Sequence, residues 1–353
     1  MFFTREYLYD LVSGKIKVPQ AVFLRGCLII LSLVYGAAVV ILAGFYRLRR
    51  MRLGAKVISV GNITLGGTGK TTLVEYLSEK LSLAGHKVAV LSRGYKRNSK
   101  RLGSSGMGDE PAMLQHKLPL VRVVVDKNRI KAAQLAIRDY ASDTLILDDG
   151  LQQWKIFKDL EIVTLDAEHP FGNYRMLPAG FLREPLSALK RADIFVLTQV
   201  SFGQDMSGLT AKLKRINSRA LIVESRHEPL GASWIDQADQ LLDLEFLKGK
   251  SVAIFSGIGN PEGFQNCVCG LGIKVAKYFR FSDHHDYTQA DILRITREAR
   301  ENNLEAIITT SKDAVKIREL KVKGTKILVL EIKLNITKNE AEFNRRLLKL
   351  YSF

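Results

Sequence analysis

Gly61–Thr72 reads GNITLGGTGKTT, and the residues on either side give that string its meaning. Before it, Lys56–Val60 (KVISV) is a short β-branched apolar run of the kind that forms a buried strand. After it, Thr72–Ala84 sets Leu73, Val74, Leu77, Leu81 and Ala84 on one helical face and stops at Gly85. A strand, a glycine-rich turn and a helix in that order make a cradle for phosphate. Glycines let successive backbone N–H groups turn toward an anion, and the helix adds its positive end. Against the pattern GxxxxGK[ST], Gly69, Lys70 and Thr71 fill the second half, while Thr64 stands where the first glycine is usual and Gly66 and Gly67 lie inside the loop. Thr64, Leu65, Gly66, Gly67, Thr68, Gly69, Lys70 and Thr71 are therefore the expected triphosphate-binding loop. Lys70 is expected on the β- and γ-phosphates and the Thr71 hydroxyl on magnesium.

Further apolar runs follow at Val88–Leu91, Leu120–Val125, Thr144–Leu147, Ile162–Leu165 and Ile194–Leu197, separated by helical patterns. Strands that are apolar on both faces and joined by crossovers predict an α/β fold, a parallel sheet with helices on both faces. Ligands of such sheets bind beyond the carboxyl ends of the strands. Thr144–Gly150 (TLILDDG) puts Asp148 and Asp149 at such an end, where two adjacent carboxylates call for a divalent cation or a lysine. No NKxD string of the guanine-binding kind is present, so ATP is the expected nucleotide.

A second, smaller α/β unit is predicted from Ser251–Phe255, the Gly257–Gly263 turn, Val275–Phe281 and Ala306–Thr309, with a basic helical tail near Asn344–Leu350. The expected division is 1–55, 56–225, a linker at 226–250, and 251–353. From Gly26 to Tyr46 no residue is charged, a length sufficient for a bilayer crossing, and Arg47, Arg49, Arg50 and Arg52 follow. A core helix and a helix lying in the membrane interface share this pattern. The three cysteines, Cys27, Cys267 and Cys269, form no disulfide framework and read as reduced thiols. The 353-residue chain carries a formal charge of +17, which suits an anionic partner: nucleic acid, a phosphorylated metabolite or an anionic membrane surface. No nucleic-acid-reading motif accompanies the charge, and nucleic acid is set aside.

Two polar loops hold candidate acid–base groups: Asp109 and Glu110 in GMGDEP (Gly106–Pro111), and the histidines of RFSDHHDYT (Arg280–Thr288). Taken with GNITLGGTGKTT, LSRGYKR (Leu91–Arg97), ILDDGLQQ (Ile146–Gln153), LPAGFLREP (Leu177–Pro185), FSGIGNPEGF (Phe255–Phe264) and TTSKDAVK (Thr309–Lys316), the chain resembles the tetraacyldisaccharide 4'-kinases, the lipid A 4'-kinases of Gram-negative bacteria. Each string is weak alone, but their order and spacing are specific. The resemblance implies ATP- and magnesium-dependent phosphorylation of the 4'-hydroxyl of a lipid A disaccharide 1-phosphate precursor at the cytoplasmic face of the inner membrane. It implies Asp109 as catalytic base with His284 as its partner, and Lys70 and Arg183 as cations offsetting phosphate charge. Thr71, Asp148, Asp149 and Glu184 match positions around the magnesium; Arg93, Tyr95 and Glu110 match the nucleotide and substrate cleft. With Asp109 and His284 in different domains of the division above, catalysis is expected to require closure of the two lobes, which would also exclude water. Gln153 departs from the family pattern, where many members have His.

The competing expectation is a nucleotide-hydrolysing membrane assembly or transport factor built on the same loop. Such a protein needs a water-positioning group and has no use for an acceptor base at Asp109.

Overall fold

The computed structural model describes residues 16, 18–94, 108–318, 320 and 326–352. In chain order its elements begin with α1 (Pro19–Leu48), β1 (Lys56–Gly61), α2 (Lys70–Leu83), β2 (Val88–Ser92), α3 (Asp109–Lys117), β3 (Arg122–Val125), α4 (Arg129–Tyr140) and β4 (Thr144–Asp148). Next come β5 (Leu160–Asp166), β6 (Ile194–Thr198), α5 (Ser207–Ile216), β7 (Leu221–Trp234) and β8 (Gln237–Leu242). The chain ends with β9 (Ser251–Ser256), α6 (Pro261–Gly270), β10 (Lys274–Arg280), α7 (Gln289–Glu301), β11 (Ile307–Thr310), α8 (Ser311–Ile317), β12 (Ile327–Lys338) and α9 (Glu340–Leu348).

Contacts divide the chain into two compact units, each assembled from separated stretches. The first comprises Met1–Leu91, Asn128–Arg226 and Ile336–Phe353; the second comprises Ser92–Lys127 and His227–Asn335. This corrects the contiguous division at 225 and 251. The segment 92–127 leaves the nucleotide-binding half because α3 packs on α8. The carboxyl-terminal helix α9 joins that half because buried Phe343 lies against Tyr76 of α2, ring centroids 6.3 Å apart. The expected linker at 226–250 contains strand instead. β7 and β8 pair antiparallel there, with Ala232 opposite Leu242, in a stretch whose charged residues and Pro229 hide the usual alternation.

In the first unit the strands run parallel in the order β6-β5-β1-β4-β2. β4, β6 and β2 are buried along their whole length, which is why they read as continuous apolar runs. Register sets Val60 of β1 beside Asp148 of β4, so the loop after β1 leaves the sheet at the tip that carries the acidic pair.

In the second unit β9 lies between β10 and β11, and β11 pairs with β12, all parallel. Successive residues feed opposite faces, as the pleat requires. Ala253, Phe255, Ile307 and Val329 pack under α7 and α8, while Val252, Ile254, Ile308 and Leu328 pack under α6.

The helix α1 is 30 residues long, and 17% of its most apolar 18-residue window is buried. Phe23, Ile30, Leu33 and Ile41 are all more than 60% exposed. A core helix would bury these side chains, so that alternative falls.

Candidate active site

The phosphate loop of the first unit closes on its neighbours through hydroxyl groups. Thr68 Oγ1 lies 2.8 Å from Thr164 Oγ1 on β5, and Thr198 Oγ1 on β6 donates to the Thr68 carbonyl at 3.1 Å. Gly66 and Gly69 adopt positive φ, 115° and 68°, a region that side chains with Cβ rarely enter. Gly69 caps α2, whose first residues are Lys70 and Thr71. Lys70 Nζ donates to Asn62 Oδ1 at 3.1 Å and stands 3.7 Å from Asp149 Oδ1.

Asp149 is the carboxylate on which the positive charges of this group converge. It sits just past β4 with φ of 57°, a left-handed conformation that Asp tolerates better than most residues. Arg183 grips both its oxygens and also donates to the side chain and carbonyl of Asn62. Burial by itself would raise the Asp149 carboxyl, but the hydrogen bond from Arg183 and the charges of Lys70, Arg183 and Arg129 outweigh it and bring the group to about 2. Asp148 is buried at the strand end, with Arg129 donating to its carbonyl at 3.4 Å.

Glu184 is 1% exposed, and its carboxylate accepts from Arg191 through two nitrogens at 2.8 and 2.9 Å. Gln152 and Trp154 Nε1 also donate to it, at 3.0 and 3.2 Å. In this arrangement Glu184 ties the Arg183 loop to the segment after β4. Among the described residues, no group of three or more His, Cys, Asp or Glu side chains is placed to hold a metal ion. The hydroxyl of Thr71 with the oxygens of Asp148 and Asp149 is a hard-oxygen set, and it suits magnesium, a cation that keeps waters and takes further oxygens from phosphates.

A second group lies in the other unit. Asp109 is the first residue of α3, and its Oδ2 is 3.3 Å from His284 Nδ1 and 3.4 Å from Lys316 Nζ. Asp109 and His284 therefore belong to one unit, and joining them needs no closure of lobes, contrary to the expectation from the contiguous division. Burial opposes the charge on Asp109, but the hydrogen bond with His284 and the Lys316 ammonium prevail and hold its carboxyl below the usual range. His284 has φ of 61°, and its backbone N–H donates to the Gly257 carbonyl at 3.1 Å. The Gly257 amide in turn donates to buried Asp313 at 3.1 Å. A Cβ on Gly257 would meet Ser282 O at 3.0 Å and His285 Cβ at 3.2 Å, tight contacts that a larger residue could make only if the histidine loop gave by a few tenths of an ångström.

His285 faces elsewhere, 3.3 Å from Asp291 at the amino end of α7. Glu110 pairs with Lys312 at 3.2 Å. Arg93 is exposed, and Tyr95 lies outside the described residues. Sequence reasoning gave no role to Asn62, Arg129, Arg191, Lys312, Asp313 or Lys316. Asn62, Lys312, Asp313 and Lys316 stand inside the quoted strings GNITLGG and TTSKDAVK, but their roles depend on neighbours far along the chain.

Residues 24–352 match the family model for tetraacyldisaccharide-1-P 4'-kinase (LpxK). The chain belongs to that family. It is 35% identical over 360 residues to the tetraacyldisaccharide 4'-kinase of Syntrophus aciditrophicus, covering 95% of this chain and 94% of the relative. The enzyme of the same name from Halothermothrix orenii is 36% identical, with 88% of each chain covered. The crystal structure of LpxK from Aquifex aeolicus in complex with ATP superposes with a TM-score of 0.74 at 30% identity, covering 93% of this chain and all of that one. Membership in the LpxK family makes the chain a kinase.

Proposed function

We propose that the chain carries out the family's reaction, transfer of the γ-phosphate of ATP to the 4'-hydroxyl of a tetraacylated glucosamine disaccharide 1-phosphate, with Asp109 as the base. The observation that carries this assignment is the Asp109 carboxylate, kept anionic by His284 and Lys316. An anionic carboxylate orients an alcohol and accepts its proton as the oxygen bonds to the γ-phosphorus and the β,γ-bridging oxygen leaves with ADP. The backbone of Thr64–Thr71 and the Lys70 ammonium bind and orient the triphosphate. Arg183 supplies positive charge to the transferring group from a position fixed by Asp149 and Asn62.

Thr71, Asp148 and Asp149 would hold magnesium, which supplies Lewis-acid neutralisation of phosphate charge. Glu184 acts at one remove, fixing the loop that carries Arg183. Arg93, Tyr95 and Glu110 are proposed contacts of the lipid headgroup or nucleotide.

We place the enzyme at the cytoplasmic face of the inner membrane. An exposed apolar helix of 30 residues, with Arg47 in its last turn and Arg49, Arg50 and Arg52 just beyond, supports attachment to an anionic leaflet, the place where a lipid acceptor is met. The test is incubation of the full chain with γ-labelled ATP, magnesium and disaccharide 1-phosphate lipid. Label on the lipid with the wild type, and none with Asp109→Ala, supports the proposal. Release of inorganic phosphate alone would return the chain to the rival class of nucleotide hydrolases.

A further inference from the structure

Lys312 stands against the face of the Asp–His pair that the base does not use. Its Nζ is 3.3 Å from His284 Nε2, while His284 Nδ1 is 3.3 Å from Asp109 Oδ2. The ring is thus held between an ammonium on one side and a carboxylate on the other. An ammonium carries only donors and an ionised carboxylate only acceptors. A single arrangement of ring protons satisfies both neighbours, with Nε2 bare and accepting from Lys312, and Nδ1–H donating to Asp109. The opposite tautomer would point Nε2–H at the ammonium and the Nδ1 lone pair at the carboxylate.

We propose that Lys312 is a positioning residue that fixes the tautomer of His284, so that His284 serves Asp109 only as a hydrogen-bond donor. The inference rests on the assignment of Asp109 as the base and adds to it the identity of the group that orients the pair. The proton taken from the acceptor hydroxyl then ends on Asp109. The Nδ1 position of His284 is already filled, so the ring cannot receive that proton through Nδ1.

The surroundings keep Lys312 in the donor state. Its Nζ pairs with Glu110 Oε1 at 3.2 Å and Asp283 Oδ1 at 3.5 Å. Burial disfavours its charge, but these two carboxylates prevail and raise the ammonium above its ordinary value. Asp283 Oδ1 also lies near Nε2, and at 3.9 Å it is too far to accept a hydrogen bond from the ring. Lys316 acts on the opposite side, on Asp109 Oδ2. The left-handed backbone of His284 and its N–H bond to Gly257 fix the main chain from which the ring projects, while Asp109 and Lys312 hold the ring itself.

The experiment is nitrogen NMR on the full chain with labelled histidine. His284 is picked out from the six histidines by the spectrum of His284→Gln. The wild type is expected to show Nδ1 protonated and Nε2 bare. Lys312→Met is expected to mix the tautomers and to lower kcat about tenfold or more with KM for ATP unchanged. Lys312→Arg, which keeps a donor and a charge, is expected to restore both. The double variant Lys312→Met with Glu110→Gln removes the nearer of the two carboxylates that the single change deprives of the ammonium, and guards against misfolding.

A wild-type ring protonated at Nε2, or a Lys312→Met ring with its tautomer unchanged, overturns the proposal. The base assignment is tested separately by Asp109→Ala. Activity surviving there sinks the base and leaves the tautomer result standing.

Discussion

Arg183 holds Asp149 by both arms of its guanidinium, Nη1 to Oδ2 and Nη2 to Oδ1, each at 2.8 Å. This parallel fork is the geometry in which arginine outperforms lysine. It keeps the carboxylate charged and aims the guanidinium at the phosphate loop's own Asn62.

Replacing Arg183 by Lys keeps the charge and loses the fork. Turnover is expected to fall about a hundredfold, in line with the loss of one preorganised donor, with a smaller rise in KM for ATP. Steady-state kinetics against both substrates reads the split. A lysine variant within a factor of two of wild type would show that charge alone suffices.

The same pair sets an acid limit. The folded-state value of Asp149 is depressed from 3.8 to about 2, so its stabilising contribution is complete above 3.8 and is lost as pH falls toward 2. Urea unfolding followed between pH 5 and 2 should therefore show Asp149→Asn converging on the wild type at the acid end of that window.

Lys316 is 4% exposed between Asp109 and Asp313, the latter fully buried. Lys316→Met leaves two carboxylates without their shared cation. The expected cost is about 3 kcal/mol, as for breaking a buried ion pair from one side. In the surviving protein the Asp109 carboxyl should titrate higher, because one of its charge partners is gone. Calorimetric unfolding measures the first effect and the acid limb of kcat the second. No change in either would mean that Lys316 is a spectator.

Glu184 offers a clean separation of metal binding from scaffolding. Glu184→Gln retains the acceptor that Gln152 and Trp154 use and weakens the pair with Arg191. Magnesium dependence of the rate is expected to stay where it is in the wild type, while thermal stability falls by about 1–3 kcal/mol. A marked rise in the magnesium needed for half-maximal rate would make Glu184 a ligand after all.

Gly257→Ala tests whether backbone packing alone can move the pair. The added methyl presses on the Ser282 carbonyl and the His285 Cβ, in the loop that holds His284. kcat should drop about tenfold or more with ATP affinity retained, since a small misplacement of a catalytic group is costly. Nucleotide affinity measured by calorimetry and turnover measured on lipid distinguish this from unfolding.

Local order made much of this protein legible from its residues. A phosphate loop is a continuous stretch whose strand, glycines and helix follow one another, so GNITLGGTGKTT announced itself, as did the paired aspartates closing a buried strand. The apolar run of α1 was equally plain, because hydrophobicity needs no partner to be read. Folding decided the rest. That α3 lies with α8, bringing Asp109 to His284 across 175 positions, follows from packing between surfaces that no local pattern encodes. The parts played by Asn62, Lys312 and Lys316 come from charges brought within a few ångströms by sheet order and helix docking. A lysine far along the chain has no partner until the chain has folded, and the same side chain would read as a solvated charge in any other fold.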